Sequence, residues 1–312
     1  MLYGDFGKKT IVRRFAFGVI SFLLCLATSQ IAQAQTYVPV DGWSAVVNQR
    51  IAAFLNSTKV ITERKVAVFD CDGTLFGQVP YYLADEALYA YGVATYEGKT
   101  DPLSKGKMDI INRLTHEDNT SEQYVQDRID FLSGMTTEEV ERMGVDCYHA
   151  KYQQKIYPQM RSLLANLKAY GFEIWVLSAS PELLYQGFIH SALGIPKNHI
   201  LGVKSVVRSD TVTGTLVLPI PQDEGKAEAV ETFIKARPLF VGGNSRGDME
   251  MMNTSVGLKL IVNPDNKKVE KGTAGGDMAG HTVYGYWSSK DNTVIVSCED
   301  LPGQADRGQM AP

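Results

Sequence analysis

The apolar positions of this chain fall into short runs and into helical stripes, which alternate along much of its length. Runs rich in β-branched and aromatic residues predict buried strands, at 66–69, 172–177, 238–241 and 256–262. Apolar residues spaced by three and four predict helices before or after these strands, at 42–55, 158–170, 182–193 and 225–236. Strands that alternate with helices in this way predict an α/β fold with a doubly wound parallel sheet.

A different pattern fills the stretch 77–155, which carries no strand signal. Helical spacing predicts three helices there, at 81–91, 121–132 and 136–152, and no element is assigned to the polar stretch 98–120. We interpret 77–155 as a helical cap domain, inserted between the parts 35–76 and 156–312 of an α/β core domain. Within the second part, a hairpin is predicted from strands at 200–207 and 215–218, and a further strand at 293–297.

The first 34 residues have the composition of a secretory signal peptide. Four basic residues precede the apolar run 15–27, and Ala32-Gln33-Ala34 provides a small-x-small cleavage site. The apolar run is short for a membrane span, although an uncleaved anchor helix is the alternative. We therefore expect an exported protein, periplasmic or secreted, that is cleaved near Ala34 and has no stable membrane anchor.

Charge and cysteine content narrow the class of protein further. The formal net charge is −4, with no basic block of the kind that binds nucleic acid. Removal of 1–34 would leave three cysteines, Cys71, Cys147 and Cys298. An odd number predicts at least one free thiol, and a pairing of Cys147 with Cys298 is possible.

The sequence VAVFDCDGTLF, residues 66–76, contains the first candidate chemistry. A buried parallel strand presents the residues that follow it at the carboxyl edge of the sheet, where open α/β folds bind ligands. Asp70 and Asp72 would meet there, and two close carboxylates are unfavourable without a positive partner such as Mg²⁺. Gly73 would allow the backbone to turn away at once. The alternative is a plain Asp-Gly turn.

Three further segments place polar groups at the same edge. Ser178 follows the second strand, Lys226 lies at a predicted helix start, and Asn244 and Asp248 follow the third strand. A hydroxyl, an ammonium group beside a helix N-terminus and oxygen ligands together suit a phosphate ester and a metal ion. Taken singly, Ser178 could cap a helix, Lys226 could be a solvated helix residue, and the glycines around Asn244 could form only a turn.

These four segments, in this order, resemble the motifs of the haloacid dehalogenase superfamily of phosphohydrolases, in the branch like phosphoserine phosphatase with a helical cap. The DxDGT element corresponds to 70–74, the strand ending in serine to VLSAS, and the lysine element to PIPQDEGKAEAV. The acidic last loop, usually GDxxxD, corresponds to GNSRGD at 243–248. The resemblance covers roughly residues 60–270.

The resemblance implies roles for four of the residues. Asp70 would be the nucleophile that forms an aspartyl-phosphate. Asp72 would protonate the leaving alkoxide and then activate water. Ser178 and Lys226 would hold the phosphate oxygens during transfer.

The resemblance also implies a Mg²⁺ site formed by Asp70, the backbone carbonyl of Asp72, and the last loop with Asn244 and Asp248. Asn244 departs from the usual pattern, because the family has aspartate at this position. An amide oxygen can still bind Mg²⁺, but one formal charge is lost, which predicts weaker metal binding.

The predicted substrate is a small phosphate ester selected by the cap. Phe76, Tyr81 and Tyr82, with Asp85 and Glu86 after them, would suit an ester of a small cationic amine. Alternatively, these aromatic residues only pack the cap against the core. Two other functions stay open, a phosphotransferase and a non-catalytic binding protein of the same fold, whereas a dehalogenase would lack the second aspartate and the metal. The sequence leaves the oligomeric state open.

Overall fold

A seven-stranded sheet lies at the centre of the computed structural model, which describes residues 36–77, 82–116, 119 and 121–299. The strand order is β4-β3-β2-β1-β5-β6-β7. All neighbouring strands pair in parallel except β4, which runs antiparallel to β3. The strands are β1 Lys65–Phe69, β2 Phe172–Pro181, β3 Ile200–Arg208, β4 Thr211–Val217, β5 Phe240–Gly243, β6 Leu258–Val262 and β7 Thr293–Val296.

Helices connect these strands and supply the rest of the packed structure. The helix α1 precedes the first strand, α2 to α6 lie between β1 and β2, and α7 joins β2 to β3. The helices are α1 Ala45–Ser57, α2 Leu83–Tyr96, α3 Pro102–Leu114, α4 Glu122–Leu132, α5 Thr137–Cys147, α6 Pro158–Ala169, α7 Glu182–Leu193, α8 Glu224–Ala229, α9 Met249–Asn253 and α10 Val283–Ser288. This mostly parallel sheet with its helices confirms the predicted α/β class.

The central strand β1 determines where a ligand can bind. Every residue of β1 is buried, which agrees with its continuous apolar sequence. β1 pairs with β2 on one side and with β5 on the other, so the chain reverses its direction of winding at this strand. Such a reversal opens a crevice at the carboxyl ends of the strands. The register of Phe69 with Gly242 brings the residues after β1 and after β5 to the same crevice.

The described residues from 82 to 155 form helices joined by short loops. Side-chain caps fix the starts of its helices: Asp101 caps α3, Ser121 caps α4, and Thr136 forms a capping box with Glu139 at α5. This agrees with the predicted helical insertion. All the elements described belong to one compact unit that begins at Val38, so the separation of 77–155 as its own domain stays a prediction.

The hairpin of β3 and β4 fastens this helical stretch to the sheet. The amide of Gly134 donates to the carbonyl of Val212 at 2.9 Å, and the amide of Val212 donates to the carbonyl of Met135 at 2.9 Å. Thr136 and Thr211 form an antiparallel bridge beside them. The loop between α4 and α5 therefore continues the sheet beyond β4.

Most predicted elements occur within a few residues of their expected bounds, and the differences have local causes. Helix α3 was not predicted, because its Gly106 and many polar residues obscure the apolar stripe, although Asp101 and Pro102 form a typical helix start. Strand β4 begins four residues before the predicted 215. Cys147 and Cys298 are free thiols, so the possible disulfide between them is not formed.

The predicted signal peptide at 1–34 and its cleavage site lie outside the described residues, as does Tyr81. Among the described residues, no helix is both long enough and apolar enough to cross a membrane.

Candidate active site

The turn after β1 carries the two predicted catalytic carboxylates. The amide of Asp70 donates to the carbonyl of Gly242 at 2.9 Å, which joins the start of the turn to β5. The carbonyl of Cys71 accepts from the amide of Leu75 at 2.8 Å and closes the turn. Gly73 has a φ of +85°, a backbone conformation that residues with a Cβ rarely adopt. This conformation explains why the motif has glycine at this position. Asp70 and Asp72 are both buried within this turn.

Lys226 is a positive partner for Asp70, one of the two carboxylates in this turn. Its Nζ lies 2.6 Å from Oδ1 of Asp70 and 2.6 Å from Oδ1 of Asp248. The other oxygen of Asp248 accepts hydrogen bonds from the amides of Asn244 and Ser245, at 2.9 and 3.0 Å. Lys226 therefore bridges the turn after β1 to the loop after β5.

The close approach of Asp248 to β5 depends on a glycine. A Cβ on Gly243 would lie 2.7 Å from the Cβ of Asp248, which is too close for real atoms. The glycine before Asn244 thus allows the loop to fold back and present Asp248 to Lys226.

Burial and neighbouring charges shift the pKa values of this cluster in opposite directions. Burial, together with the carboxylate of Asp248, raises the pKa of Asp70 to about 7, although Lys226 opposes the shift. For Lys226, burial lowers the pKa, but the carboxylates of Asp248 and Asp70 outweigh burial and raise it overall. The ammonium group of Lys226 is therefore charged at neutral pH and sits between its two carboxylates.

Asp72 has partners of its own, which are neutral. Tyr185 donates to its Oδ1 at 2.8 Å, and Ser178 donates to its Oδ2 at 3.3 Å. Burial raises the pKa of Asp72 to about 6, while the hydrogen bond from Tyr185 and the charge of Arg128 act against the increase. The two aspartates of one turn thus differ: Asp70 faces an ammonium group and Asp72 faces hydroxyl groups.

Oxygen atoms of two predicted metal ligands converge on Thr74. Its hydroxyl lies 3.0 Å from Oδ2 of Asp70, where it donates a hydrogen bond, and 3.4 Å from Oδ1 of Asn244. Oδ2 of Asp70 is the oxygen that does not contact Lys226. A carboxylate oxygen and an amide oxygen at one point form a set that suits a hard cation such as Mg²⁺.

The predicted Mg²⁺ site nevertheless offers few free carboxylates. Among the described residues, no three His, Cys, Asp or Glu side chains form a group that could hold a metal ion. Both oxygens of Asp248 already accept hydrogen bonds from protein groups, including Lys226. The residues present fit a Mg²⁺ site built on Asp70 and Asn244, whereas a direct role for Asp248 and for the carbonyl of Asp72 stays a prediction.

The cap contributes a buried ionic cluster close to Asp72. Arg128 donates from Nε and Nη2 to Oδ1 of Asp85, at 2.9 and 2.7 Å, and Tyr124 donates to Oδ2 of Asp85 at 2.5 Å. The guanidinium group also lies over the ring of Tyr82, with its Cζ 5.8 Å from the centroid. Burial, together with the charge of Asp72, raises the pKa of Tyr82 to about 12, so this cluster is within electrostatic range of the turn after β1.

This cluster removes the basis for the expected preference for a cationic amine. Asp85 is paired with Arg128, and Glu86 accepts from Nζ of Lys151 at 2.9 Å, so both acids are neutralised inside the cap. Phe76 is fully buried and packs edge-on against Phe188 with centroids 5.7 Å apart. Phe76 thus agrees with the alternative, in which the aromatic residues only pack the cap against the core.

The structure brings all six predicted site residues together and adds three more. Hydrogen bonds connect Asp70, Lys226, Asn244 and Asp248 in one group, in part through Thr74, and Asp72 with Ser178 in a second group. The turn that carries both Asp70 and Asp72 joins the two groups. Thr74, Arg128 and Tyr185 were not predicted. Thr74 could have been found from the DxDGT motif, but Tyr185 occupies a position in α7 that resembles any buried aromatic residue of a helix.

Comparisons with known proteins agree with this arrangement. The family model of haloacid dehalogenase-like hydrolases matches residues 67–253. A protein of unknown function from Bordetella pertussis Tohama I is 19% identical, with a TM-score of 0.53 and coverage of 65% of this chain and 92% of that chain. A conserved protein of unknown function from Anaerococcus prevotii DSM 20548 is 16% identical, with a TM-score of 0.55 and coverage of 71% and 85%.

A phospho-aspartyl intermediate analogue of phosphoserine phosphatase is 19% identical, with a TM-score of 0.41 and coverage of 64% of this chain and 87% of that chain. At these identities the solved structures show similarity of fold alone. No curated protein matches this chain.

Proposed function

Because the chain belongs to the haloacid dehalogenase-like hydrolases, we propose that it is an exported, Mg²⁺-dependent phosphomonoesterase. It would hydrolyse a small phosphate ester through an aspartyl-phosphate on Asp70. The family is established by the match over 67–253, which is more than half of the chain, and confirms the resemblance inferred from the four motifs. The phosphomonoesterase reaction, the need for Mg²⁺ and the export of the chain are what we propose beyond the family.

One observation carries the proposal: a single turn presents two buried carboxylates in different environments. Asp70 contacts Lys226 at 2.6 Å, whereas Asp72 accepts from Tyr185 at 2.8 Å. Burial raises the pKa of Asp70 to about 7, and the ammonium group of Lys226 opposes this increase and so favours the ionised form, which is the form that acts as a nucleophile. Burial without an ionic contact raises the pKa of Asp72 to about 6, which suits a group that gives and takes a proton near neutral pH.

The reaction follows from these environments. A carboxylate oxygen of Asp70 attacks phosphorus, and the bond from phosphorus to the leaving oxygen breaks. Asp72 gives its proton to that oxygen, so a neutral alcohol departs. Asp72 then takes a proton from a water molecule that attacks the phosphorus on Asp70, and inorganic phosphate is released. Lys226 and Ser178 lie where they can hold phosphate oxygens as charge shifts.

Asp70 and Asn244 would hold the metal, with the last loop around Asp248 in support. When bound, Mg²⁺ would neutralise phosphate charge and allow a carboxylate to approach an anionic ester. Asn244 supplies an oxygen without a formal charge, so we expect weak binding.

Export is supported by the sequence pattern of residues 1–34, which lies outside the described residues. The substrate class is limited to a small phosphate monoester. The pairing of Asp85 and Glu86 with Arg128 and Lys151 gives no support to a cationic leaving group.

Hydrolysis of p-nitrophenyl phosphate by the purified chain, with Mg²⁺ and with EDTA, tests the proposal. We expect release of p-nitrophenol that EDTA abolishes and that excess Mg²⁺ restores. Addition of glycerol distinguishes a phosphotransferase, which would form glycerol phosphate at the expense of inorganic phosphate. A chain that binds phosphate esters but turns none over would support the non-catalytic alternative and contradict the proposal.

A further inference from the structure

Tyr185 lies in the first turn of α7, directly after the strand that carries Ser178. Its hydroxyl donates to Oδ1 of Asp72 at 2.8 Å, and only 1% of the residue is exposed. Tyr185 is thus a buried residue with its polar end on a catalytic carboxylate.

Aromatic packing keeps the ring of Tyr185 in place. The ring packs against Phe188, with centroids 5.1 Å apart, and Phe188 stacks on Tyr148 at 5.1 Å. Phe76 packs edge-on against Phe188, with centroids 5.7 Å apart, and against Tyr152, with centroids 6.1 Å apart. Because these rings come from the core and from the end of the cap, the hydroxyl of Tyr185 has little freedom to leave Asp72.

The two oxygens of Asp72 therefore have unequal partners. Oδ1 accepts the short hydrogen bond from Tyr185, whereas Oδ2 accepts a longer one from Ser178, at 3.3 Å. Ser178 is a residue expected to contact the phosphate. With Ser178 on a phosphate oxygen, as in the proposed function, Oδ2 would be the oxygen of Asp72 on the phosphate side.

We propose that Tyr185 is a positioning residue, which holds Oδ1 of Asp72 and so presents Oδ2 to the leaving group. This inference rests on the proposed function. As the bond from phosphorus to the leaving oxygen breaks, its electron pair stays on that oxygen, which takes the proton from Oδ2 of Asp72. The new bond joins phosphorus to Asp70, and Asp72 is left as a carboxylate.

The role of Tyr185 should depend on how much the leaving group needs a proton. The oxygen of p-nitrophenol is a good leaving group without protonation, whereas the oxygen of an alkyl alcohol leaves poorly as an anion. Loss of the hydroxyl of Tyr185 should therefore slow the first phosphoryl transfer from an alkyl ester much more than from p-nitrophenyl phosphate.

The test compares Tyr185→Phe with the wild-type chain on p-nitrophenyl phosphate and on glycerol 2-phosphate, by kcat/KM. We expect a loss of about 10- to 100-fold with the alkyl ester. With p-nitrophenyl phosphate we expect kcat/KM to stay within about threefold of wild type. Thermal unfolding of each variant shows whether the fold is retained.

Tyr148→Phe is the matched control, because it removes a hydroxyl from the same aromatic group without a contact to Asp72. Tyr148→Phe should lower kcat/KM only slightly, and by the same factor for both esters. An equal loss with both esters in Tyr185→Phe, or the same selective loss in Tyr148→Phe, would overturn the positioning role. A wild-type chain that hydrolyses neither ester would overturn the proposed function and this inference with it.

Discussion

The sheet and the helical cap bury different kinds of groups. In the sheet region, residues of the strands and of the helices packed on them form an apolar cluster, with members that include Val68, Leu177, Val241 and Met251. In the cap, several ionised side chains are buried among the helices α2 to α5. The hydrophobic effect can hold the first region without directional contacts, whereas the second requires each charge to find its partner.

The partners in the cap are specific. Arg113 forms a bidentate pair with Asp127, at 2.7 and 2.6 Å. Lys107 donates to the carbonyls of Asp130, Phe131 and Ser133, near the end of α4, at 2.9, 2.6 and 2.8 Å. A cation there satisfies carbonyls that a helix end leaves unpaired and opposes the negative end of the helix dipole.

This difference suggests that the sheet edge carries the proposed reaction, whereas the charges of the cap hold its helices together. The sheet region holds its charges at the carboxyl edge, where they serve the proposed reaction. The buried acids of the cap, among them Asp85, are paired inside the cap, and the Arg128 cluster acts electrostatically on Asp72. We therefore expect substitutions at the sheet edge to change activity more than stability, and substitutions of cap charges to do the reverse.

The largest effect should come from Asp70→Asn, which removes the proposed nucleophile. We expect kcat to fall by about 10³-fold or more, because the amide cannot form the acyl phosphate. The variant should still fold, since its amide can occupy the same volume beside Lys226. Steady-state hydrolysis and thermal unfolding measure the two quantities, and a variant with more than a tenth of wild-type activity would contradict the role of Asp70.

The second prediction concerns the pair of Asp85 and Arg128, which are 7% and 5% exposed. Asp85→Asn leaves a buried guanidinium group without its counter-charge, which should lower the free energy of unfolding by about 3–5 kcal/mol. The double variant Asp85→Leu with Arg128→Met should recover most of this loss. Urea denaturation measures both.

Glu141→Gln is the control for that prediction, because Glu141 and Lys197 form an exposed ion pair, with 31% and 48% of their side chains accessible. Its loss should cost at most about 1 kcal/mol. If Asp85→Asn were no more harmful than Glu141→Gln, the buried pairs would not hold the cap together.

Elements and site residues were predictable from the sequence to different extents. The ends of β1 and β5 were predictable, because each short apolar run is followed directly by its polar residue, Asp70 or Asn244. Ser178 was expected after its strand but lies inside β2, which continues to Pro181. The pairing of Asp85 with Arg128 was not predictable, since the two residues lie on different helices and neither carries a local pattern. Tyr185 was missed for a related reason: its function depends on a contact with a residue more than one hundred positions earlier.

The third prediction uses the raised pKa values at the sheet edge. Burial raises the pKa of Asp70 to about 7 and that of Asp72 to about 6, above the ordinary value of 3.8. The folded state therefore binds more protons than the unfolded state in this range, so the free energy of unfolding should fall as pH rises from about 4 to about 7.

Without metal, we expect a decrease on the order of several kcal/mol between about pH 4 and about pH 7. Urea denaturation in EDTA measures it, and Asp70→Asn should flatten the slope. An unchanged slope in that variant would assign the effect to other groups.

The smallest expected effect is on metal affinity. Asn244→Asp adds a carboxylate beside Asp70 and should lower the Kd for Mg²⁺ about tenfold. Asn292→Asp is the control, since it adds the same charge at an exposed position before β7, at the opposite edge of the sheet. Calorimetric titration would contradict the proposed site if both variants had the affinity of the wild-type chain.

The most direct test of the central claim is to detect a phosphoryl group on Asp70. The wild-type chain is mixed with p-nitrophenyl phosphate and Mg²⁺, quenched in acid within the first turnovers, digested, and examined by mass spectrometry. Our account predicts one added phosphoryl group on the peptide that contains Asp70, which hydroxylamine removes and which is absent from Asp70→Asn. Hydrolysis with no phosphorylated peptide, or with the phosphoryl group on another residue, would contradict it.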